Sequence, residues 1–142
     1  MEAHLTDITR VIQLAVAPVF LLTAIATMIN ALNVRLGRIV DRRRVVQERA
    51  DRVAAAGAVG DEITMLKRRS ALVYYAIFCA VLSALLVCMV VAGAFLGALL
   101  GVDLARVVAG LFIAAMLAMI AALGLFLREV FLAVRSGTHN QP

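Results

Sequence analysis

The stretch NALNVRLGRIVDRRR, Asn30–Arg44, joins two kinds of chain. Before its arginines, Val11–Val34 runs 24 residues without a charge. From Arg35, five arginines and one aspartate fall within ten residues, and no proline or glycine-rich break separates the two regimes. An apolar helix therefore passes directly into an arginine-rich one.

The wider composition agrees with a membrane setting. Of 142 residues, 64% are hydrophobic, and the mean hydropathy is +1.01. A soluble domain is nearer half apolar. Charge-free stretches mark three crossings: Val11–Val34, Ser70–Val102 and Val107–Leu127. About 20 apolar residues span a bilayer, so the 33-residue second stretch is one span that extends beyond the hydrocarbon. The reading is an all-α polytopic membrane protein of one domain, residues 1–142. Its three transmembrane helices lie near 11–34, 72–99 and 105–127, and a cytoplasmic helical hairpin near 35–71 extends helices one and two. Tyr74 and Tyr75 fall near the headgroups, where aromatic rings with a polar tip are favoured.

Ten of the 14 lysines and arginines lie between Arg35 and Arg69. The positive-inside rule puts this segment in the cytoplasm, the N-terminus outside and the C-terminus inside, with Arg128 and Arg135 in support. The first span is not a cleaved signal peptide, because Glu2 and Asp7 stand where a basic region would be needed. The expected location is a bacterial inner membrane. A pI near 10.2 could suggest nucleic acid, but basic residues between spans are explained first by topology and by anionic lipid headgroups.

The hairpin turns within Ala54–Glu62, where Gly57 and Gly60 punctuate and Asp61 can cap the returning helix. Its rising arm, Val34–Ala56, would then be about 34 Å long and its returning arm, Asp61–Ala71, only about 16 Å. At 100° per residue from Arg35, the rising arm has three faces. Ile39, Val46, Ala50 and Val53 form an apolar face expected to pack on Ile63, Leu66 and Val73. Arg35, Arg38, Arg42, Arg49 and Arg52 form a basic stripe. Asp41, Arg44, Glu48 and Asp51 form the third face, spaced for pairs along the helix. Carried back into the membrane, this third face meets Thr23, Thr27 and Asn30, with Gly37 between. Such a polar stripe is expected to turn inward: it either packs against other helices or lines a water-filled path in an oligomer.

Small residues mark a second kind of contact. Gly93, Gly97 and Gly101 stack on one face of the second span, and Gly110, Ala114, Ala118 and Ala122 on one face of the third. At this spacing backbones can approach closely. Pro18 removes a backbone donor early in span one. Cys79 and Cys88 are nine residues apart on one helix and face opposite ways, so neither a disulfide nor a metal site is expected. His4 and His139 lie near the termini and carry no metal-ligand spacing. No nucleophile–base pair, phosphate-binding loop or cofactor motif appears, and the spans contain no ionisable proton-relay residue.

Ile12–Arg44 resembles the opening of a bacterial family catalogued as domain of unknown function 2721. The matching pieces are Ala17-Pro18-Val19-Phe20-Leu21-Leu22, Asn30 and Arg35-Leu36-Gly37-Arg38-Ile39-Val40-Asp41-Arg42, joined by Leu66-Lys67-Arg68-Arg69 before span two. The resemblance covers Val11 to Ala94 closely and the third span loosely. It implies a small inner-membrane protein and assigns no activity.

The functional expectation is therefore non-enzymatic. The first reading is a homo-oligomer that conducts ions or small solutes along Thr23, Thr27, Asn30 and Asp41. The alternative is a membrane-anchored scaffold whose basic hairpin binds anionic lipid or a protein partner. A membrane enzyme subunit is the third. No cofactor is expected, and the expected partners are the bilayer, its anionic headgroups and further copies of the chain.

Overall fold

In the computed structural model the chain forms three long helices. They are α1 (Glu2–Arg52), α2 (Ala56–Leu100) and α3 (Ala105–Gly137). Residues 2–52 and 56–137 are described, with side chains at 13, 16–49 and 60–135. The side chains of His4, Ala50, Asp51 and Arg52, together with Val53 and His139, lie outside the described set. All three helices are long and apolar enough to cross a membrane.

α1 does not break at Arg35, and its buried side chains give the reason. They are Ile25, Leu32, Ile39 and Val46, each seven residues after the last. The same interval recurs in α2 as Leu66, Val73, Ala80 and Val87, and again as Ala76, Ser83 and Val90. In α3 it is Ala115, Ala122 and Glu129. Every fully buried described residue except Ser70 lies on one of these lines. A strict seven-residue repeat is the signature of a left-handed supercoil, in which each helix keeps one seam facing its partner. The seam of α1 starts inside the charge-free span and ends among the arginines. Ending the helix at Arg35 would discard Ile39 and Val46, which pack in one cluster with Leu32, Leu66 and Val73. The expected apolar face of the rising arm is therefore found, with Ile63 packed against the same cluster.

α2 sits at the centre and packs on both neighbours, whereas α1 and α3 approach each other far less. A second cluster gathers Ile25, Ala80, Val87, Ala115 and Ala122 at the level of the spans. Stepping 14 residues back along α2, from Ser83 to Arg69, matches 14 residues forward along α3, from Ala115 to Glu129. Each of these pairs is joined by a hydrogen bond. The antiparallel register is thus held over two heptads.

Two expectations about the turns need correction. The returning helix begins at Ala56, not at Asp61, so Gly57 and Gly60 lie within α2. Glycine lowers helix propensity by only about 1 kcal/mol, and packing of Leu66 and Val73 overrides that local preference. The unequal arms are thereby reconciled: Val34–Arg52 and Ala56–Ala71 are about 28 and 24 Å long at 1.5 Å per residue. At the other end α2 closes on Gly101, whose φ of +64° is the left-handed conformation that favours glycine at a helix C-terminus. The backbone N–H of Val102 donates to Gly97 O, and that of Ala105 donates to the Asp103 carboxylate, opening α3.

The small-residue faces are used unevenly. A Cβ on Gly93 would meet Val108 at 3.3 Å, and one on Gly97 would meet Val102 O at 3.2 Å, so both glycines permit the close α2–α3 approach near the turn. Gly110 has nothing within 4 Å of its Cβ position. In the stripe expected on α3, Gly110 is exposed and Ala114 and Ala118 are half-buried, whereas Ala115 and Ala122 are fully buried. The contact face coincides with the expected stripe at Ala122 and departs from it toward Gly110, because a seven-residue seam through Ala115 and Ala122 turns away from a four-residue one.

A charged node where three helices leave the apolar band

Glu129 is the centre of the candidate site. It follows Arg128 at the end of the third charge-free stretch, where a carboxylate would ordinarily face water. Its place on the Ala115–Ala122–Glu129 seam turns it inward, and its exposure is 1%. A buried carboxylate must be paired and hydrogen-bonded. Two helices supply the partners: Arg35 Nη1 of α1 donates to Oε2 at 2.8 Å, and Arg69 Nη2 of α2 donates to Oε1 at 2.9 Å. Each carboxylate oxygen thus takes one guanidinium, and one side chain of α3 holds both other helices. Such charge-assisted bonds are shorter and stronger than neutral ones.

The two arginines are not equivalent. The Arg35 side chain is 41% exposed and Arg69 only 20%. Arg35 also lies over the Phe126 ring, 5.0 Å from its centroid, which adds a cation–π contact one turn before Glu129. Arg69 Nε is buried with no hydrogen-bond partner among the described residues, so the Glu129 contact is the polar tie that its guanidinium makes there. Two cations and one anion leave the node with a net charge of +1. A second ion pair lies farther along the hairpin, between Arg42 and Glu62 at 3.0 Å, with both side chains largely exposed.

The expected basic stripe is therefore divided. Arg35 and Arg42 are engaged with carboxylates of α3 and α2, while Arg38 and Arg49 are exposed and make no ion pair among the described residues. Arg52 lies outside the described side chains. Of the pairs expected along α1, Asp41–Arg44 and Arg44–Glu48 do not form, and Glu48–Arg52 lies outside the described side chains; the described ion pairs all join different helices. On α1, a carboxylate of a neighbouring helix holds Arg35 and another holds Arg42.

The polar stripe is found on the side of α1 away from its buried seam. Thr23, Thr27, Asn30, Gly37 and Asp41 are all exposed, so the stripe does not turn inward within one chain. The Thr23 hydroxyl donates to Val19 O and the Thr27 hydroxyl to Thr23 O, each at 2.9 Å. These bonds to the preceding turn satisfy both threonines within their own helix. The buried polar link between spans comes instead from Ser83, whose hydroxyl donates to Ala115 O at 2.8 Å.

Sequence reading missed Glu129 and Ser83. The signal for Glu129 was present: it lies seven residues after Ala122 and 14 after Ala115, on the line that carries the core. The rest of the molecule offers little chemistry. Cys79 is half-buried and Cys88 exposed, both as free thiols. Among the described residues no three His, Cys, Asp or Glu are gathered as metal ligands. An open cleft near the α2–α3 turn is lined by Gly93, Gly97, Leu104 and Val108, and Asp103, its one ionisable group, already accepts the Ala105 N–H.

Comparison with known proteins gives one match. The family model described as "Protein of unknown function (DUF2721)" matches residues 15–138. No curated protein and no solved structure matches the chain.

Proposed function

We propose that this chain, which belongs to the DUF2721 family, is a non-enzymatic membrane scaffold that presents a rigid basic hairpin at an anionic membrane surface. One observation carries the reading. Arg38, Lys67, Arg68 and Arg128 are exposed and make no ion pair among the described residues. All four lie within three residues of a member of the charged node, hence within about 5 Å of it along the helix axes. The node's own carboxylate is buried among its arginines, so this collar shows cations alone toward the headgroups. Arg49 extends the positive surface along the hairpin. The excess of arginine around the hairpin supports a cytoplasmic hairpin, an outside N-terminus and an inside C-terminus, in a bacterial inner membrane.

Each basic residue near an anionic leaflet contributes about 1 kcal/mol. The test replaces Arg38, Lys67, Arg68 and Arg128 with Gln in protein held in nanodiscs of mixed phosphatidylglycerol and phosphatidylcholine. Native mass spectrometry then counts the lipids retained. Retention of phosphatidylglycerol over phosphatidylcholine should fall about tenfold or more, even if the four contributions only partly add. Equal retention in parent and variant would refute the reading. Arg35, Arg42 and Arg69 are poor targets for this test, because they hold carboxylates within the protein.

The second reading is the conduit along Thr23, Thr27, Asn30 and Asp41. Its support is that this polar stripe faces outward from an apolar span. The closed hydrogen bonds of Thr23 and Thr27 weaken it, since those side chains need no water. Loss of solute flux in reconstituted Asn30→Leu would favour it.

A further inference from the structure

We propose that the outward face of α1 is a two-fold docking surface for a second copy of this chain, with Asn30 at its centre. The proposal is independent of the headgroup reading. It starts from a line of exposed residues opposite the buried seam: Phe20, Thr23, Thr27, Asn30, Val34, Gly37, Asp41, Arg44 and Glu48. Their spacings alternate between three and four, so the line repeats every seven residues, in parallel with Ile25, Leu32, Ile39 and Val46. The supercoil that keeps the inner seam on α2 keeps this outer line straight as well.

Three features point to a copy of the same chain as the occupant. Asn30 lies five residues before Arg35, about 7.5 Å into the charge-free span. Its amide is exposed, and no hydrogen bond forms to it among the described residues. So short a side chain does not reach the headgroups as lysine or arginine would. Hydrocarbon leaves it unsatisfied, whereas a two-fold axis beside it sets amide against amide, each donating to the other. Small residues surround Asn30: Thr23 and Thr27 lie on the line, Ala24, Ala26 and Ala31 border it, and the Cβ position of Gly37 opens onto empty space. Two helices can therefore come close along this face. Beyond the span, Asp41, Arg44 and Glu48 alternate in sign. Parallel copies in register set Arg44 beside Arg44, and each guanidinium of that pair stands in height between Asp41 and Glu48 of the other copy, about 4.5 and 6 Å away along the axis, so two carboxylates of the partner flank each cation. Phosphatidylglycerol, an anion, offers no counter-charge for Asp41 or Glu48.

The test uses purified full-length protein in liposomes, with Cys79 and Cys88 replaced by Ala. Single cysteines are placed on the line at Thr27→Cys and Val34→Cys, and off it at Val81→Cys of α2 and Ile113→Cys of α3, which are equally lipid-exposed. After mild oxidation, the two line positions should give a disulfide-linked species of twice the chain's mass, and the other two should not. Adding Asn30→Leu to Val34→Cys should lower the linked fraction about fivefold, the effect of losing about 1 kcal/mol of interhelical hydrogen bonding. Equal linking at all four positions would mean random collision and overturn the proposal. Absence of linking at both line positions, or linking that Asn30→Leu leaves unchanged, would overturn it too. Circular dichroism of each variant separates loss of the interface from loss of the fold.

Discussion

Replacing Glu129 with Gln tests the charged node with almost no change in volume. In the parent, two charge-assisted hydrogen bonds meet the carboxylate, each contributing about 1.5–3 kcal/mol where the groups are desolvated. The amide keeps one acceptor and turns an N–H toward the other guanidinium. Arg35, at 41% exposure, regains much of its hydration and its loss is discounted accordingly. Arg69, at 20% exposure and with Nε already unpartnered, cannot do the same. The net destabilisation is therefore about 2–3 kcal/mol, less than the 3–5 typical of a fully buried broken pair. For a chain of this size that is a fall of roughly 10 °C in Tm. The assay is thermal unfolding in a mild detergent, followed by helical circular dichroism. A cycle with Arg69→Gln sharpens it: the double variant should lose less than the sum of the singles, with a coupling of at least about 1 kcal/mol. A Glu129→Gln protein melting within about a degree of the parent would refute the reasoning, as would strict additivity in the cycle. Either would mean that the carboxylate finds water and the node holds nothing together.

Two further outcomes follow from the α2–α3 contact. Ser83→Ala removes the buried hydroxyl that donates to Ala115 O and should lower stability by about 1 kcal/mol, whereas Ala115→Leu at the same level forces a large side chain into a fully buried site and should cost about 1–3 kcal/mol or more, both read as Tm in detergent. Gly101→Ala places a Cβ on a residue with φ +64° and should cost about 1 kcal/mol, while Gly110→Ala, with open space at its Cβ position, should be neutral or slightly stabilising; comparable losses from both would contradict the assigned turn.

The spans and the inner face of the hairpin were legible because each rests on many residues at once. Twenty or more charge-free residues mark a crossing, and Ile39 and Val46 against Leu66 and Val73 follow from periodicity alone. The node was hidden because its parts are 94 and 60 residues apart in the chain, and a criterion that ends a span at the first charge assigns Arg128 and Glu129 alike to solvent. The two neighbours differ by 100° of helical rotation, which sends Arg128 outward and Glu129 onto the seam. The start of α2 was misplaced for the opposite reason: Gly57 and Gly60 carry a strong local signal, and the tertiary contacts that override it are not local. The residues of the polar stripe, Thr23, Thr27, Asn30, Gly37 and Asp41, are all exposed on α1. The direction of the stripe depends on where α2 and α3 lie, which the sequence of α1 does not contain.

The order in which the node's members leave the ribosome has a consequence for biogenesis. Arg35 and Arg69 are synthesised long before Glu129, their shared counterion, which follows them by 94 and 60 residues. Until Glu129 is made, the Arg35 and Arg69 guanidinium groups that it separates have no carboxylate between them. Arrival of the last helix converts their repulsion into attraction. A chain that ends before Glu129 thus lacks the carboxylate that ties α1 and α2 to the third helix.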